Sequence, residues 1–272
     1  MKTLQKETGF LGNEGERLYY EVAGQGHPLL LIHAGIADSR MWDAQFAAFA
    51  QQYRVISYDL RGYGRTEVPA GQISYHADAA NLLRHLGIDK AYVLGISFGG
   101  QVALDFALAY PEMVSALVLG APSVSGHQPS EAVRQFGAEE NAYLERGDLA
   151  GATELNLRMW VDGPYRTPEQ VAPEVRELVR QMQWHAFTIE APEGAEVVPL
   201  TPPALHRLDE IHVPTLLLVG DLDLPDRLTL VDQLTAAISG AQQVIIPQVA
   251  HMLSLEKPTE FNQLVLDFLR QH

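Results

Sequence analysis

No cysteine occurs anywhere in the 272 residues, which removes disulfides, thiolate nucleophiles and cysteine-ligated metals from consideration. Positive charge is also scarce: 19 Lys and Arg face 34 Asp and Glu, for a net charge of −15. Nucleic-acid binding needs clustered cations to neutralise phosphates, so the balance argues against such a partner and for an acidic chain that stays in solution. Long polar tracts are missing while 47% of the residues are hydrophobic, so a packed core is expected rather than disorder. The longest apolar segment, Tyr92 to Tyr110, is interrupted by Gly95, Gly99, Gly100 and Asp105. It reads as a strand and a helix rather than a membrane span. Residues Met1 to Glu7 lack the apolar stretch of a secretory signal, and the expectation is a cytoplasmic protein without a membrane partner. Its histidines show no clustering with carboxylates of the kind that holds a metal, so neither metal nor cofactor is expected. The oligomeric state is not legible.

What is present is an alternation of strand and helix signals. Leu18–Val22 alternates, whereas Leu29–Ile32 is continuously apolar, as in a strand covered on both faces. Asp38 is placed to cap a helix over Ser39–Ala50, and Trp42, Phe46 and Phe49 share one of its faces. Further strands are expected at Val55–Tyr58, Ala91–Leu94, Ala116–Leu119, Thr215–Val219 and Gln243–Ile246. Helices are expected at Tyr75–Leu86, Gln101–Tyr110, Arg227–Ile238 and Pro258–Leu269. After Pro122 the rhythm breaks for roughly ninety residues, far beyond an ordinary αβ connection of about 2–6 residues. Ser130–Arg146, Leu149–Trp160 and Pro168–Phe187 there form helical patterns separated by proline joints. The stretch reads as a helical cap, 123–206, inserted into a core made of 1–122 and 207–272. Alternating units imply a mainly parallel sheet flanked by helices.

Val93-Leu94-Gly95-Ile96-Ser97-Phe98-Gly99-Gly100 carries the chemistry. A buried strand turns abruptly into a helix with a serine at the corner, and small residues stand two positions to either side. Larger side chains there would collide with the neighbouring strand and helix. A serine hydroxyl is a poor nucleophile until a base takes its proton, and the base needs an orienting carboxylate. Both follow in the chain. Asp221, Asp223 and Asp226 stand just past the Thr215–Val219 strand, where open α/β sheets assemble their sites, and His251 lies in the loop after the next strand.

These segments, together with His33-Ala34-Gly35, Asp59-Leu60-Arg61-Gly62-Tyr63-Gly64 and Glu256-Lys257-Pro258, resemble the α/β-hydrolase superfamily over nearly the whole chain. The resemblance implies a mainly parallel eight-stranded sheet with a helical cap insertion. It further implies Ser97 as nucleophile, His251 as general base and then acid, and Asp223, at the family's G-x-x-D spacing, as the orienting acid with Asp221 as the alternative. Two backbone amides must face the developing oxyanion. Phe98 supplies one, and the resemblance points to Gly35 for the other, with Ile36 as the alternative, although Ala34 stands where the family reads glycine. His33 is expected to shape this loop, and Asp59, Arg61 and Arg65 to tie a turn.

The cap aromatics Phe136, Tyr143, Trp160, Trp184 and Phe187 are individually packing residues. Together they are expected to enclose a pocket that excludes water, with Ile36, Trp160, Trp184 and His185 as its lining. The function implied is a cofactor-independent serine hydrolase cleaving an ester, lactone or similar activated carbonyl of a small, partly apolar substrate through an acyl-enzyme. Ile36–Asp43 resembles the corresponding loop of 3-oxoadipate enol-lactonases. Carbon–carbon bond hydrolysis, metal-free haloperoxidase activity and a non-catalytic small-ligand receptor stay open as alternatives, because fold does not choose among them.

Overall fold

A computed structural model describes residues 6–272. The opening residues, on which the reading about a leader segment chiefly rests, lie outside the described residues. In chain order the elements are β1 (Glu7–Leu11), β2 (Leu18–Ala23), β3 (Pro28–Ile32), α1 (Asp43–Phe49), β4 (Arg54–Tyr58), β5 (Gln72–Ile73), α2 (Tyr75–His85), β6 (Ala91–Ile96), α3 (Phe98–Ala109) and β7 (Val114–Gly120). There follow α4 (Glu131–Glu145), α5 (Leu149–Asn156), α6 (Pro173–Thr188), β8 (Glu196–Val197), β9 (Thr215–Gly220), α7 (Pro225–Ala237), β10 (Gln242–Ile246), α8 (Leu253–Glu256) and α9 (Pro258–Leu269).

Eight strands form one sheet in the order β1-β2-β4-β3-β6-β7-β9-β10, parallel except where β2 pairs with β1 and β4. Alternation along each central strand explains the unbroken apolar runs. In β3, Leu30 and Ile32 join one core with α2, α3 and α7, while Leu29 and Leu31 join another with α1 and α9. Trp42, Phe46 and Phe49 are fully buried in the second core. The expected eight-stranded, mainly parallel sheet with flanking helices is therefore present. Among the described residues no helix is long and apolar enough to cross a membrane.

Several boundaries differ from expectation for local reasons. The segment after Asp38 begins as a 3-10 turn, Ser39–Trp42, with Asp38 accepting from the Arg40 amide, and only then becomes α1. The third helical pattern expected after Pro122 is broken between a 3-10 turn at Pro168–Gln170 and α6, because Pro173 has no N–H to continue a helix and opens one instead. Strand β1 and the small parallel pair β5–β8, which joins the chain leaving α6 to the loop before α2, were not expected.

Chain order also fixes where a site can form. From β3 the chain moves to β4 on one side of the sheet and then returns to β6 on the other. The crevice beyond the carboxyl ends of β3 and β6 is thus a topological switch point, and loops after β3, β6, β9 and β10 converge near it.

Candidate active site

Ser97 sits between β6 and α3 with φ 56° and ψ −117°, a sparsely populated conformation for a residue with a side chain. Such a backbone costs about 1–3 kcal/mol and persists only where its surroundings over-determine it. Here the Ser97 amide donates to Gly120 O at 2.8 Å, and Ser97 O accepts from the amides of Ser123 at 2.9 Å and Gln101 at 3.1 Å. The small neighbours are needed for close approach. A Cβ at Gly95 would lie 2.1 Å from Gly99 O, and one at Gly99 would lie 2.2 Å from Ile32 O. Backbone atoms block both positions, so the turn admits only glycine at each.

The acid and the histidine meet from separate loops. His251 Nδ1 donates to Asp223 Oδ2 at 2.8 Å, and the two side chains are 2% and 1% exposed. The other oxygen, Asp223 Oδ1, accepts from the Leu224 amide at 2.7 Å, so the carboxylate is held at both ends. With a carboxylate on Nδ1, the imidazole keeps its proton there and leaves Nε2 as the basic atom. That Nε2 is buried with no hydrogen-bond partner among the described residues. Asp221 is exposed and accepts from the Val249 amide at 3.4 Å, a loop contact, and Asp226 Oδ1 lies 3.7 Å from His127 Nε2. Of the three candidate acids, Asp223 is the one brought to His251.

A turn after β3 faces the elbow. The Ala37 amide donates to Ala34 O at 3.0 Å, which leaves Gly35 and Ile36 as its central residues. Gly35 abuts Phe98 so closely that a Cβ there would stand 3.2 Å from Phe98 Cβ. His33, fully buried, fixes the turn. Its Nε2 accepts from the Leu60 amide at 2.9 Å, so Nδ1 carries the proton and donates to Ala34 O at 2.8 Å. Burial pulls the His33 imidazole below its ordinary value, consistent with this neutral tautomer. Asp59 takes the Ser39 amide on one oxygen, at 2.7 Å, and the Arg65 amide on the other, at 2.8 Å. Arg61 pairs with Asp78, and Arg65 reaches the Tyr19 hydroxyl. His33, Asp59, Arg61 and Arg65 thus build the frame around the site, as their positions in sequence suggested.

Ser97 and His251 open into a cavity of about 280 Å³ that also takes in Gly35, Ile36 and Tyr63. The rest of its wall comes from the segment between β7 and β9 as three pairs spaced one helical turn apart. These are Phe136 and Glu140 on α4, Asn156 and Trp160 on α5 and its extension, and Gln183 and Phe187 on α6. Helix α5 continues into a π-helical turn, Leu157–Asp162, in which the Gly163 amide reaches back to Arg158 O. The Trp160 ring, carried on that turn, stands with its centroid 4.8 Å from that of His251. The Arg227 guanidinium lies 5.6 Å from the centre of the Trp160 ring and is lowered in pKa by burial.

Two expected lining residues are elsewhere. Trp184 is 44% exposed, and His185 donates to Gly64 O at 2.8 Å on the outer side of α6, beside a separate surface depression. Each residue turns the helix by about 100°, so the inward pair Gln183 and Phe187 puts Trp184 and His185 outside. Ile36 and Trp160 do line the cavity. Tyr63, Glu140, Asn156 and Gln183 were missed; the recurring four-residue spacing of polar and aromatic residues was the available signal.

An elbow serine beside a buried His–Asp couple at the switch point of such a sheet defines a class. The model of the alpha/beta hydrolase fold matches residues 27–258, and the chain belongs to that family of hydrolases. Among similar proteins is the carboxylesterase YbfK of Bacillus subtilis (strain 168), 27% identical over 249 residues, or 89% of this chain and 79% of that protein. The 2-hydroxy-6-oxo-6-phenylhexa-2,4-dienoate hydrolase of Comamonas testosteroni is 27% identical over 281 residues, 93% of this chain and 91% of that one. The enol-lactonase structure from Burkholderia xenovorans LB400 superimposes with a TM-score of 0.79 over 96% of this chain and 100% of its own, at 23% identity, a likeness of fold.

Proposed function

We propose that the protein is a cofactor-independent serine hydrolase acting on an ester, lactone or similarly activated carbonyl of a small, partly apolar molecule. The observation that carries this reading is the buried His251–Asp223 couple: His251 lines the same cavity as Ser97, and its Nε2 has no hydrogen-bond partner among the described residues. In the reaction His251 Nε2 takes the Ser97 proton as Oγ attacks the carbonyl carbon. The resulting oxyanion accepts hydrogen bonds from the amides of Phe98 and Gly35, each worth about 3 kcal/mol in the transition state. His251 then hands its proton to the leaving oxygen, and the acyl group stays on Ser97. A water deprotonated by the same Nε2 attacks the acyl carbonyl, and collapse of that second intermediate returns the proton to Ser97. Asp223 stays ionised and steadies the imidazolium. The segment 123–206 acts as a cap over a core of 1–122 and 207–272, and its aromatic wall keeps bulk water from the acyl-enzyme.

Labelling with a fluorophosphonate and turnover of short p-nitrophenyl esters test the reading. Labelling confined to Ser97, and loss of both labelling and turnover in Ser97→Ala, are expected. A wild-type protein that neither labels nor turns over any member of an ester, lactone and vinylogous-diketone panel would leave it a receptor on a hydrolase fold.

A further inference from the structure

Three polar side chains stand in the cap wall of the cavity, and the reaction above uses none of them. Asn156 is buried, and its Nδ2 donates to Glu140 Oε1 at 2.5 Å and to Ala152 O at 3.0 Å. Both partners are acceptors, so both amide hydrogens are spent and the orientation of the amide is fixed, with Oδ1 left as an acceptor. Glu140, half-buried, lines the same cavity and forms no ion pair with any Lys or Arg among the described residues. Gln183 is 4% exposed, and its Oε1 is buried without a hydrogen-bond partner among the described residues. Buried amide oxygens are nearly always satisfied, and an unsatisfied one on a residue that lines a cavity marks a place where a small rotation of the amide would meet a donor from outside the protein.

We propose that Glu140, Asn156 and Gln183 form a specificity site that receives a hydrogen-bond donor (a hydroxyl, an amide N–H or an ammonium) at the end of the substrate remote from the scissile carbonyl, and that the same site rejects substrates ending in a carboxylate. This rests on the reading that Ser97 attacks a carbonyl in the same cavity. The Glu140 carboxylate and the Asn156 carbonyl are acceptors, and the Gln183 amide carries an acceptor and a donor. A carboxylate would meet the like charge of Glu140 at short range, against which the single Gln183 amide is a weak counterweight. A methyl terminus would leave Gln183 Oε1 as it is, unpaired. A donor terminus would satisfy it while Phe136, Trp160 and Phe187 enclose the apolar chain leading to the serine. The consequence for substrate class is definite. An enol-lactone derived from a dicarboxylic acid, which keeps one free carboxylate, is disfavoured here, although the Ile36–Asp43 loop resembles that of enzymes acting on such a compound.

The test uses the full-length Ser97→Ala variant, so that binding is read without turnover. Its affinity for methyl hexanoate, methyl 6-hydroxyhexanoate, the ammonium form of methyl 6-aminohexanoate and monomethyl adipate is measured by calorimetry. The hydroxyl and ammonium esters are expected to bind roughly tenfold more tightly than methyl hexanoate, and monomethyl adipate roughly tenfold more weakly. Adding Glu140→Gln should close most of the gap between monomethyl adipate and methyl hexanoate and remove the advantage of the ammonium ester. Adding Gln183→Leu should remove the advantage of the hydroxyl ester. Melting curves of each variant show that it is folded. Equal affinities across the series, or a preference for the adipate, overturn the specificity site. Absent labelling and turnover in the wild type would overturn the serine-hydrolase reading instead, and the binding series would still decide the site.

Discussion

Asp223 Oδ2 receives its 2.8 Å hydrogen bond from His251 while Asp223 Oδ1 is already engaged by the Leu224 amide. An amide cannot serve both donors. In Asp223→Asn the carbonyl is drawn to the Leu224 N–H, and the NH₂ group then faces His251 Nδ1 and forces the proton onto Nε2. On the proposed reaction, kcat toward a p-nitrophenyl ester is expected to fall by about 10³–10⁴-fold, with the melting temperature nearly unchanged. Asp221→Asn, altering an exposed loop acceptor, should stay within about tenfold of the wild type. If the two variants exchanged these outcomes, the acid would be Asp221.

Glycines in two settings should respond in opposite directions. Gly95→Ala places a methyl group 2.1 Å from the Gly99 carbonyl oxygen, with only backbone to give way. A loss of about 3 kcal/mol is expected, or about 10 °C in Tm for a domain of this size. Gly137 lies within α4 with nothing inside 4 Å of its added Cβ. Gly137→Ala is expected to gain about 0.5–1 kcal/mol from helix propensity. Thermal melts of both decide the matter, and a neutral Gly95→Ala would contradict the close approach at the elbow.

Arg166, in the segment between β7 and β9, pairs with Glu256 through contacts of 2.5 and 3.2 Å, and Glu256 Oε1 also accepts from the Ala250 amide at 3.1 Å, one residue before His251. Both side chains are almost fully buried. Arg166→Met strands a buried carboxylate and should cost about 3–5 kcal/mol in stability. It should also lower kcat, because the loop carrying His251 loses an anchor. A double-mutant cycle with Glu256→Gln is expected to show coupling of about 1–3 kcal/mol by chemical denaturation. Strict additivity would show that the pair does not act as a unit.

Asp105 on α3 accepts from the Ser125 hydroxyl at 2.7 Å, and Ser125 Oγ in turn accepts from the Ala204 amide at 2.8 Å. The contact therefore ties residues on either side of α4, α5 and α6 to the helix that follows Ser97. Burial pushes the Asp105 carboxyl up to about 6, outweighing the opposing effect of the serine. Since the folded value lies above the unfolded one, this group's contribution is fully present below the ordinary carboxylate range and is lost as pH rises through about 6. Asp105→Asn should gain on the wild type between about pH 4 and pH 7, by about 2 kcal/mol after allowance for partial solvent screening. A difference in Tm that stays flat over that range would refute the assignment.

Residues whose role is set by the backbone are legible in the sequence itself. Ser97, Asp223 and His251 stand at strand ends, and an alternating βα pattern fixes where strand ends gather. His33 and Asp59 can be read as frame residues for the same reason. Trp184 and His185 went wrong because aromatic character says nothing about helix phase. The sequence of α6 carries apolar or aromatic side chains on more than one face, and only packing of Val175, Val179 and Met182 into the core decides which face turns inward. The π-helical turn under Trp160 is likewise invisible, since no residue pattern in Leu157–Asp162 distinguishes it from an ordinary helical turn. Strand β1 was missed because its exposed pattern lacks the apolar signal of a buried strand.

The three tryptophans occupy three different environments, which makes the unmodified protein its own optical sensor. Trp42 is sealed in the core, Trp184 is open to solvent, and Trp160 stands against His251 at the cavity. A soluble quencher such as acrylamide silences Trp184, and Trp42 contributes a constant background. What remains of the emission follows Trp160, so loading of the cavity, or a charge appearing on the neighbouring imidazole, registers as a change in intensity without a label and without a chromogenic substrate.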